Sequence, residues 1–216
     1  MADLRAVIFD IGGVLTHSPV SGIKQYAAEN GIPDDARWAI FAPEDGLWSR
    51  FERSELTREE FAKAFEEEVA KYGAKADGGH FLQWFFEGFG PRHEMLDVVE
   101  ALRPHVRLGV ITNNVARDEQ GPRRTSGLDV QSLFPVVIES AVVGLRKPDP
   151  RIFHMCCEAM EVTPPETAFL DDLGANLKGA RALGMHTIKV DDTLSAIAEL
   201  ESALGIELPH SPARTR

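Results

Sequence analysis

The sequence predicts a doubly wound α/β fold, a parallel sheet with helices on both faces, with an α-helical insertion after the first strand. Three observations carry this. Short, near-continuous apolar runs recur along the chain, as strands covered on both faces require. Segments of helical period separate the later runs. The long stretch between the first and second runs holds helical patterns and no convincing strand.

In chain order, the predicted strands are "RAVIF" (5–9), "RLGVI" (107–111), "PVVI" (135–138), "TAFL" (167–170) and "HTIKV" (186–190). Within the insertion, "LTREEFAKAFEEEVAKYG" predicts a helix with a Thr57/Glu60 capping box and a Leu56/Phe61 staple. Its buried stripe is Phe61, Phe65, Val69 and Tyr72, and Gly73 ends it. The aromatic run "FLQWFFEGF" (81–89) is expected in the core of the same module. Further on, "DPRIFHMCCEAM" predicts a helix with Asp149 as N-cap, Pro150 at its first position, and Ile152, Cys156 and Met160 on one stripe. Another helix follows Asp172, with Leu173, Leu177 and Ala180 on one face and Gly184 as its stop. The closing "LPHSPARTR" is expected to fray. The resulting division is an α/β core of residues 1–16 and 92–216 and a helical cap of residues 17–91.

At 216 residues the chain is long enough to bury a substantial core, and its 44% hydrophobic and 26% charged residues are an ordinary globular balance. A formal net charge of -11 argues against a broad nucleic-acid surface, since phosphate backbones are held chiefly by Lys and Arg. No run approaches membrane-spanning length, and "MADLRAVIFD" does not resemble a signal peptide, so no membrane partner is expected. The adjacent Cys156 and Cys157 are poorly placed for a structural disulfide; they are expected as buried thiols in a reducing cytoplasm.

In an open parallel sheet, ligands bind beyond the carboxyl ends of the strands. The residues found there are Asp10 after the first run, Thr112, Asn113 and Asn114 after the second, and Asp171 and Asp172 after the fourth, with Lys147 in "GLRKPDP" after the third. Three converging carboxylates repel one another unless a cation neutralises them. Oxygen-only donors point to a hard ion, Mg²⁺ above others. A lysine and a hydroxyl facing the same space complete a cradle for an anion with several oxygens. This is the equipment of phosphoryl transfer.

These residues resemble the motifs of the haloacid dehalogenase superfamily of hydrolases, in order and across essentially the whole chain: "FDIGGVL", "VITNN", Lys147 in "RKPDPRIF", and "FLDDLGAN". The resemblance implies a Rossmann-like core with a mobile cap, and a Mg²⁺-dependent phosphatase acting on a small phosphorylated metabolite. It makes Asp10 the nucleophile that forms an aspartyl-phosphate, with Thr112 and Lys147 completing the catalytic set. It implies Mg²⁺ held by Asp10, the backbone carbonyl of Gly12 and Asp172, with Asp171 and Asn176 assisting. The substrate-binding set it implies is Gly12, Gly13, Thr112, Asn113 and Lys147. It assigns no oligomeric state.

The departure from the family pattern is Gly12, where phosphatases of the family carry a second acid. That acid's carbonyl binds metal and its side chain moves a proton, so glycine keeps the first role and puts at risk a rate factor of about 10²–10⁴. His17 is the candidate replacement. Two alternatives remain: a metal-free 2-haloacid dehalogenase, which has no need of the acidic pair at 171 and 172, and a non-catalytic module binding a phosphorylated ligand or a protein on the same scaffold. Arg50 and Arg53, in "GLWSRFERSELT", are either contacts for an anionic substrate or solvated helix charges.

Overall fold

A computed structural model describes residues 3–42, 45–115 and 128–212. Strand β1 (Ala6–Phe9) is followed by a short turn, Ile11–Leu15, kinked at Gly12 and Gly13. Five helices come next: α1 (Pro19–Glu29), α2 (Asp34–Phe41), α3 (Leu47–Glu52), α4 (Arg58–Lys71) and α5 (Gly78–Glu87). The chain then runs through α6 (His93–Leu102), β2 (Arg107–Thr112), α7 (Val130–Leu133), β3 (Val136–Glu139) and α8 (Ser140–Val143). It closes with α9 (Pro150–Ala159), β4 (Thr167–Asp171), α10 (Gly174–Ala182), β5 (His186–Lys189) and α11 (Thr193–Leu204).

All five predicted strands form, paired in parallel in the order β3-β2-β1-β4-β5. The alternation of side chains along β1 explains the double winding. Val7 and Phe9 face a cluster with Val98 and Leu102 of α6 and Ile197 and Leu200 of α11. Ala6 and Ile8 face the opposite cluster, with Ile152, Phe153 and Cys156 of α9 and Leu177 of α10. Both faces of the strand are therefore dry, which is why it reads as an unbroken apolar run. The strand order reverses at the β1/β4 pair, where such sheets leave a crevice at their carboxyl ends.

Helices α1 to α5 pack on a cluster of their own, in which Phe61 stacks on Phe51 with ring centroids 4.4 Å apart and Phe65 on Phe81 at 4.8 Å. Of the aromatic run, Phe81 and Leu82 are buried in this cluster, while Trp84, Phe85 and Phe86 are partly buried against it. The two passages between this module and the sheet run side by side: Thr16 bridges Pro91 antiparallel, the His17 amide donates to Gly90, and the Arg92 amide donates to Leu15.

The caps are as predicted at Thr57/Glu60 and at Asp149 with Pro150. Three local expectations are corrected. Tyr72 lies at the C-cap of α4 and is 40% exposed, because the buried stripe ends with Val69. Leu173 is the N-cap of α10 and also 40% exposed; its backbone, not its side chain, is committed. The segment after α11 does not fray through residue 211: Leu208 is buried, its amide donates to Glu201, Ser211 bonds Glu201, and His210 meets Asp97. Residues 213–216 of that stretch lie outside the described residues. Cys156 and Cys157 are buried free thiols, as expected, and burial raises both above the ordinary thiol range. No helix among the described residues is long and apolar enough to cross a membrane.

Candidate active site

Parallel register brings the acids together. Phe9 of β1 lies opposite Leu170 of β4, so the next residues, Asp10 and Asp171, emerge side by side at the switch point. The Asp10 amide donates to the Leu170 carbonyl at 2.9 Å, which extends the ladder by one bond and fixes the acid's direction. With Asp172, the pair offers carboxylate oxygens that all lie within 4.8 Å of one another.

Lys147 is fully buried among them. Its Nζ lies 2.9 Å from Asp10 Oδ1 and 2.7 Å from Asp171 Oδ2. The loop carrying it is held by Asn113: the Lys147 amide donates to Asn113 Oδ1 at 2.8 Å, and Asn113 Nδ2 donates to the Lys147 carbonyl at 3.1 Å. The Asn113 side chain is thus committed to the lysine's backbone. Gly179 of α10 lets the helix approach this loop, since a Cβ there would lie 2.8 Å from Pro148.

Each acid has a distinct set of partners. Asp171 is satisfied by Lys147, by Asn176 Nδ2 at 3.1 and 3.0 Å, and by the Leu173 amide at 2.8 Å. Asp10 Oδ1 accepts from the Ile11 amide at 2.7 Å and from Lys147, while no described residue donates to Oδ2. Asp172 Oδ2 accepts from Ser18 Oγ at 2.6 Å, a contact across 154 residues that no local pattern signals. Thr112, at the end of β2, is buried, and its hydroxyl bonds no described residue.

The adjacent glycines are not equivalent. Gly13 has φ +78°, and a Cβ there would stand 2.1 Å from Asp172 Oδ2. Any side chain would displace that acid. Gly12 has an ordinary φ of -65°, and its nearest obstacle is Pro19 Cδ, 3.3 Å from a built Cβ. Gly12 therefore tolerates a side chain at modest cost, where Gly13 does not.

The electrostatics point to a missing positive charge. Burial pushes Asp10 up to about 8; Lys147 opposes this, and Asp171 and Asp172 reinforce it. Asp172 is also raised, chiefly by burial, with Ser18 opposing. Burial pulls Lys147 down, but Asp10 and Asp171 outweigh it and hold the ammonium charged. Three carboxyl groups thus share one ammonium, and it is this crowding together with burial that keeps the proton on Asp10. A hard divalent cation fits that donor set, with Asp10 and Asp172 able to reach it and Asp171 engaged with the lysine.

The other candidates have surroundings of their own. His17 is exposed. Arg50 pairs with Glu55 at 3.5 Å, and Arg53 with Glu55 at 2.6 Å and Asp45 at 3.6 Å, so both have acidic partners on the helical module. Ser18 is the residue in contact with the acids that the sequence did not signal.

A family model described as haloacid dehalogenase-like hydrolase matches residues 4–184. Acyl-CoA dehydrogenase family member 10 of Mus musculus is 36% identical over 222 residues, covering 98% of this chain and 20% of that protein. Bifunctional epoxide hydrolase 2 of Sus scrofa is 32% identical over 231 residues, covering 97% of this chain and 40% of that protein. The chain thus spans between a fifth and two fifths of these longer relatives. A phosphatase of Mycobacterium tuberculosis (strain CDC 1551 / Oshkosh) is 29% identical over 196 residues, with 87% of this chain and 88% of that protein covered. Among solved structures, a predicted HAD-like family hydrolase from Porphyromonas gingivalis superposes with a TM-score of 0.73 at 27% identity, covering 95% of this chain and 100% of that one.

Proposed function

The chain belongs to the haloacid dehalogenase-like hydrolase family, and from that premise we propose that it is a Mg²⁺-dependent phosphatase of small phosphorylated metabolites, with Asp10 as the group that accepts the phosphoryl unit. The observation that carries the reading is the division of labour at Asp10: Oδ1 is tied to Lys147 and the Ile11 amide, and among the described residues none donates to Oδ2. A nucleophile needs one oxygen held and the other free.

In this reading Asp10 Oδ2 bonds to phosphorus as the bond from phosphorus to the leaving oxygen breaks. Lys147 orients the attacking carboxylate and balances charge that gathers on the transferring group. The Thr112 hydroxyl donates to a phosphoryl oxygen. Water then cleaves the aspartyl-phosphate, releasing inorganic phosphate and restoring the carboxylate. Asp10, the Gly12 carbonyl and Asp172 would hold Mg²⁺, which supplies charge neutralisation and polarises a phosphoryl oxygen. Ser18 steadies Asp172, and Asp171 holds Lys147 in place.

With glycine at position 12, the leaving oxygen takes its proton from water, and substrates with acidic leaving groups are favoured. Residues 17–91 act as the cap over the site. The buried thiols agree with a reducing, cytoplasmic setting. The relative named as a phosphatase, matched over most of both chains, supports the reaction class. A metal-free dehalogenase has no use for Asp172 beside Gly13, which weighs against that alternative.

The test is hydrolysis of p-nitrophenyl phosphate and a panel of phosphorylated metabolites, with and without Mg²⁺. Mg²⁺-dependent release of phosphate, lost in Asp10→Asn, is the expected result. Tight phosphate-ester binding without turnover, or halide release from a 2-haloacid without metal, would overturn it.

A further inference from the structure

The loop that presents Lys147 is gripped from two directions. Asn113 holds the lysine's own backbone from the sheet side. From the other side, the preceding residue, Arg146, reaches into the helical module and donates from Nε to Glu52 Oε2 at 2.7 Å. Glu52 closes α3 and is only 5% exposed. Its Oε1 accepts from Trp48 Nε1 at 2.8 Å, so both carboxylate oxygens are engaged.

The main chain repeats this link. The Ser140 hydroxyl sits between the carbonyls of Glu52 and Asn114, 2.8 Å from each, and accepts from the Asn114 amide at 2.9 Å. Two residues on, Ser54 Oγ donates to the Ala141 carbonyl at 2.8 Å. The end of α3 is thus joined both to the start of α8 and to the residue next to Lys147.

A buried carboxylate is costly unless paired and hydrogen-bonded, and a buried ion pair adds less stability than well-packed apolar groups of the same size. What such a pair does well is to select one arrangement of the parts it joins. Here the parts are a module helix and the loop bearing the lysine.

We infer that Glu52 and Arg146 are a positioning pair that aligns Lys147 when α3 is seated on the sheet domain. Its catalytic consequence rests on the phosphatase reading; its structural consequence does not. With the pair intact, Arg146 and Asn113 clamp the loop on both sides and keep the ammonium between Asp10 and Asp171. Without it, the loop loses its tie to the helical module, the Asn113 clamp and the ion pairs to Asp10 and Asp171 must hold the lysine by themselves, and Lys147 samples positions open to solvent more often.

The experiment labels lysines with an amine-reactive succinimidyl ester and reads each site by peptide mass spectrometry, using the half-exposed Lys189 as internal reference. In the wild type Lys147 is expected to be protected. Glu52→Gln keeps an acceptor for Trp48 but loses the charge, and is expected to raise Lys147 labelling about tenfold with Lys189 unchanged. Arg146→Gln should match it, and the double substitution should add less than about twofold, because the two act as one unit. Arg146→Lys preserves the charge and should keep labelling within about twofold of wild type. In parallel, kcat for p-nitrophenyl phosphate per folded protein should fall about tenfold in both Gln variants, with KM moving by less than about twofold.

Unchanged Lys147 labelling in a folded Glu52→Gln protein would overturn the pairing, as would Arg146→Lys exposing the lysine as much as Arg146→Gln. If Glu52→Gln does not fold, the two Arg146 variants decide. If the wild type turns over no phosphomonoester, the phosphatase reading falls while the labelling still settles the pair.

Discussion

Phe61 and Lys147 are both fully buried, and they reach that state by opposite routes. Phe61 sits in the helical module among rings whose contacts are many, non-directional and individually small: Phe51, Trp48, Phe65 and Phe81 all lie within 6.2 Å of its centroid. Lys147 sits at the sheet ends among a few directional partners, each required because an ammonium without them would not remain buried. The aromatic cluster supplies stability and can absorb small shifts. The charged cluster depends on each directional contact, and in the proposed function it carries the chemistry.

Substitutions in the two regions should therefore separate activity from stability. The largest effect is expected from Asp10→Asn, which should lower phosphatase turnover by on the order of 10⁴ or more while leaving the circular dichroism spectrum native. Phe61→Ala should do the reverse, costing about 3–5 kcal/mol in urea unfolding with kcat per folded molecule little changed. If Phe61→Ala abolished turnover in folded protein, the separation would fail.

The two glycines sharpen the contrast within the charged cluster. Gly13→Ala puts a methyl where Asp172 Oδ2 lies, so Mg²⁺ affinity by calorimetry should drop about 10–100-fold. Gly12→Asp meets only Pro19, and should raise kcat/KM for alkyl phosphates towards the ~10² low end of acid–base catalysis, with less gain for p-nitrophenyl phosphate.

The last contrast is in pH. Asp10 is raised to about 8 by burial from its ordinary 3.8, so the folded chain holds a proton that the unfolded chain has lost. Its contribution to metal-free stability therefore declines as pH rises from about 4 to about 8. Binding a cation there releases that proton, and Mg²⁺ affinity should climb by at most about tenfold per pH unit up to the same limit. A flat affinity across this range would show that cation binding displaces no proton from Asp10.

The sequence alone determined the elements and the points at which the sheet presents chemistry. Apolar runs, caps and breakers act over a few residues, so the five strands, the Thr57 and Asp149 caps, the placement of Asp10, Thr112 and Asp171 at or just beyond strand ends, and that of Lys147 in the loop before Asp149 were legible without coordinates. Tertiary structure alone decided how these side chains divide their bonds. Ser18 meets Asp172 across 154 residues, Asn113 meets Lys147 across 34, and Arg146 meets Glu52 across 94. The exposure of Tyr72 and Leu173 and the packing of Leu208 were settled the same way, by which surfaces remained once the helices had docked. The physical reason is range. Backbone preference and periodicity are fixed by near neighbours, whereas a carboxylate's partners depend on how distant segments pack, and residue spacing carries no record of that.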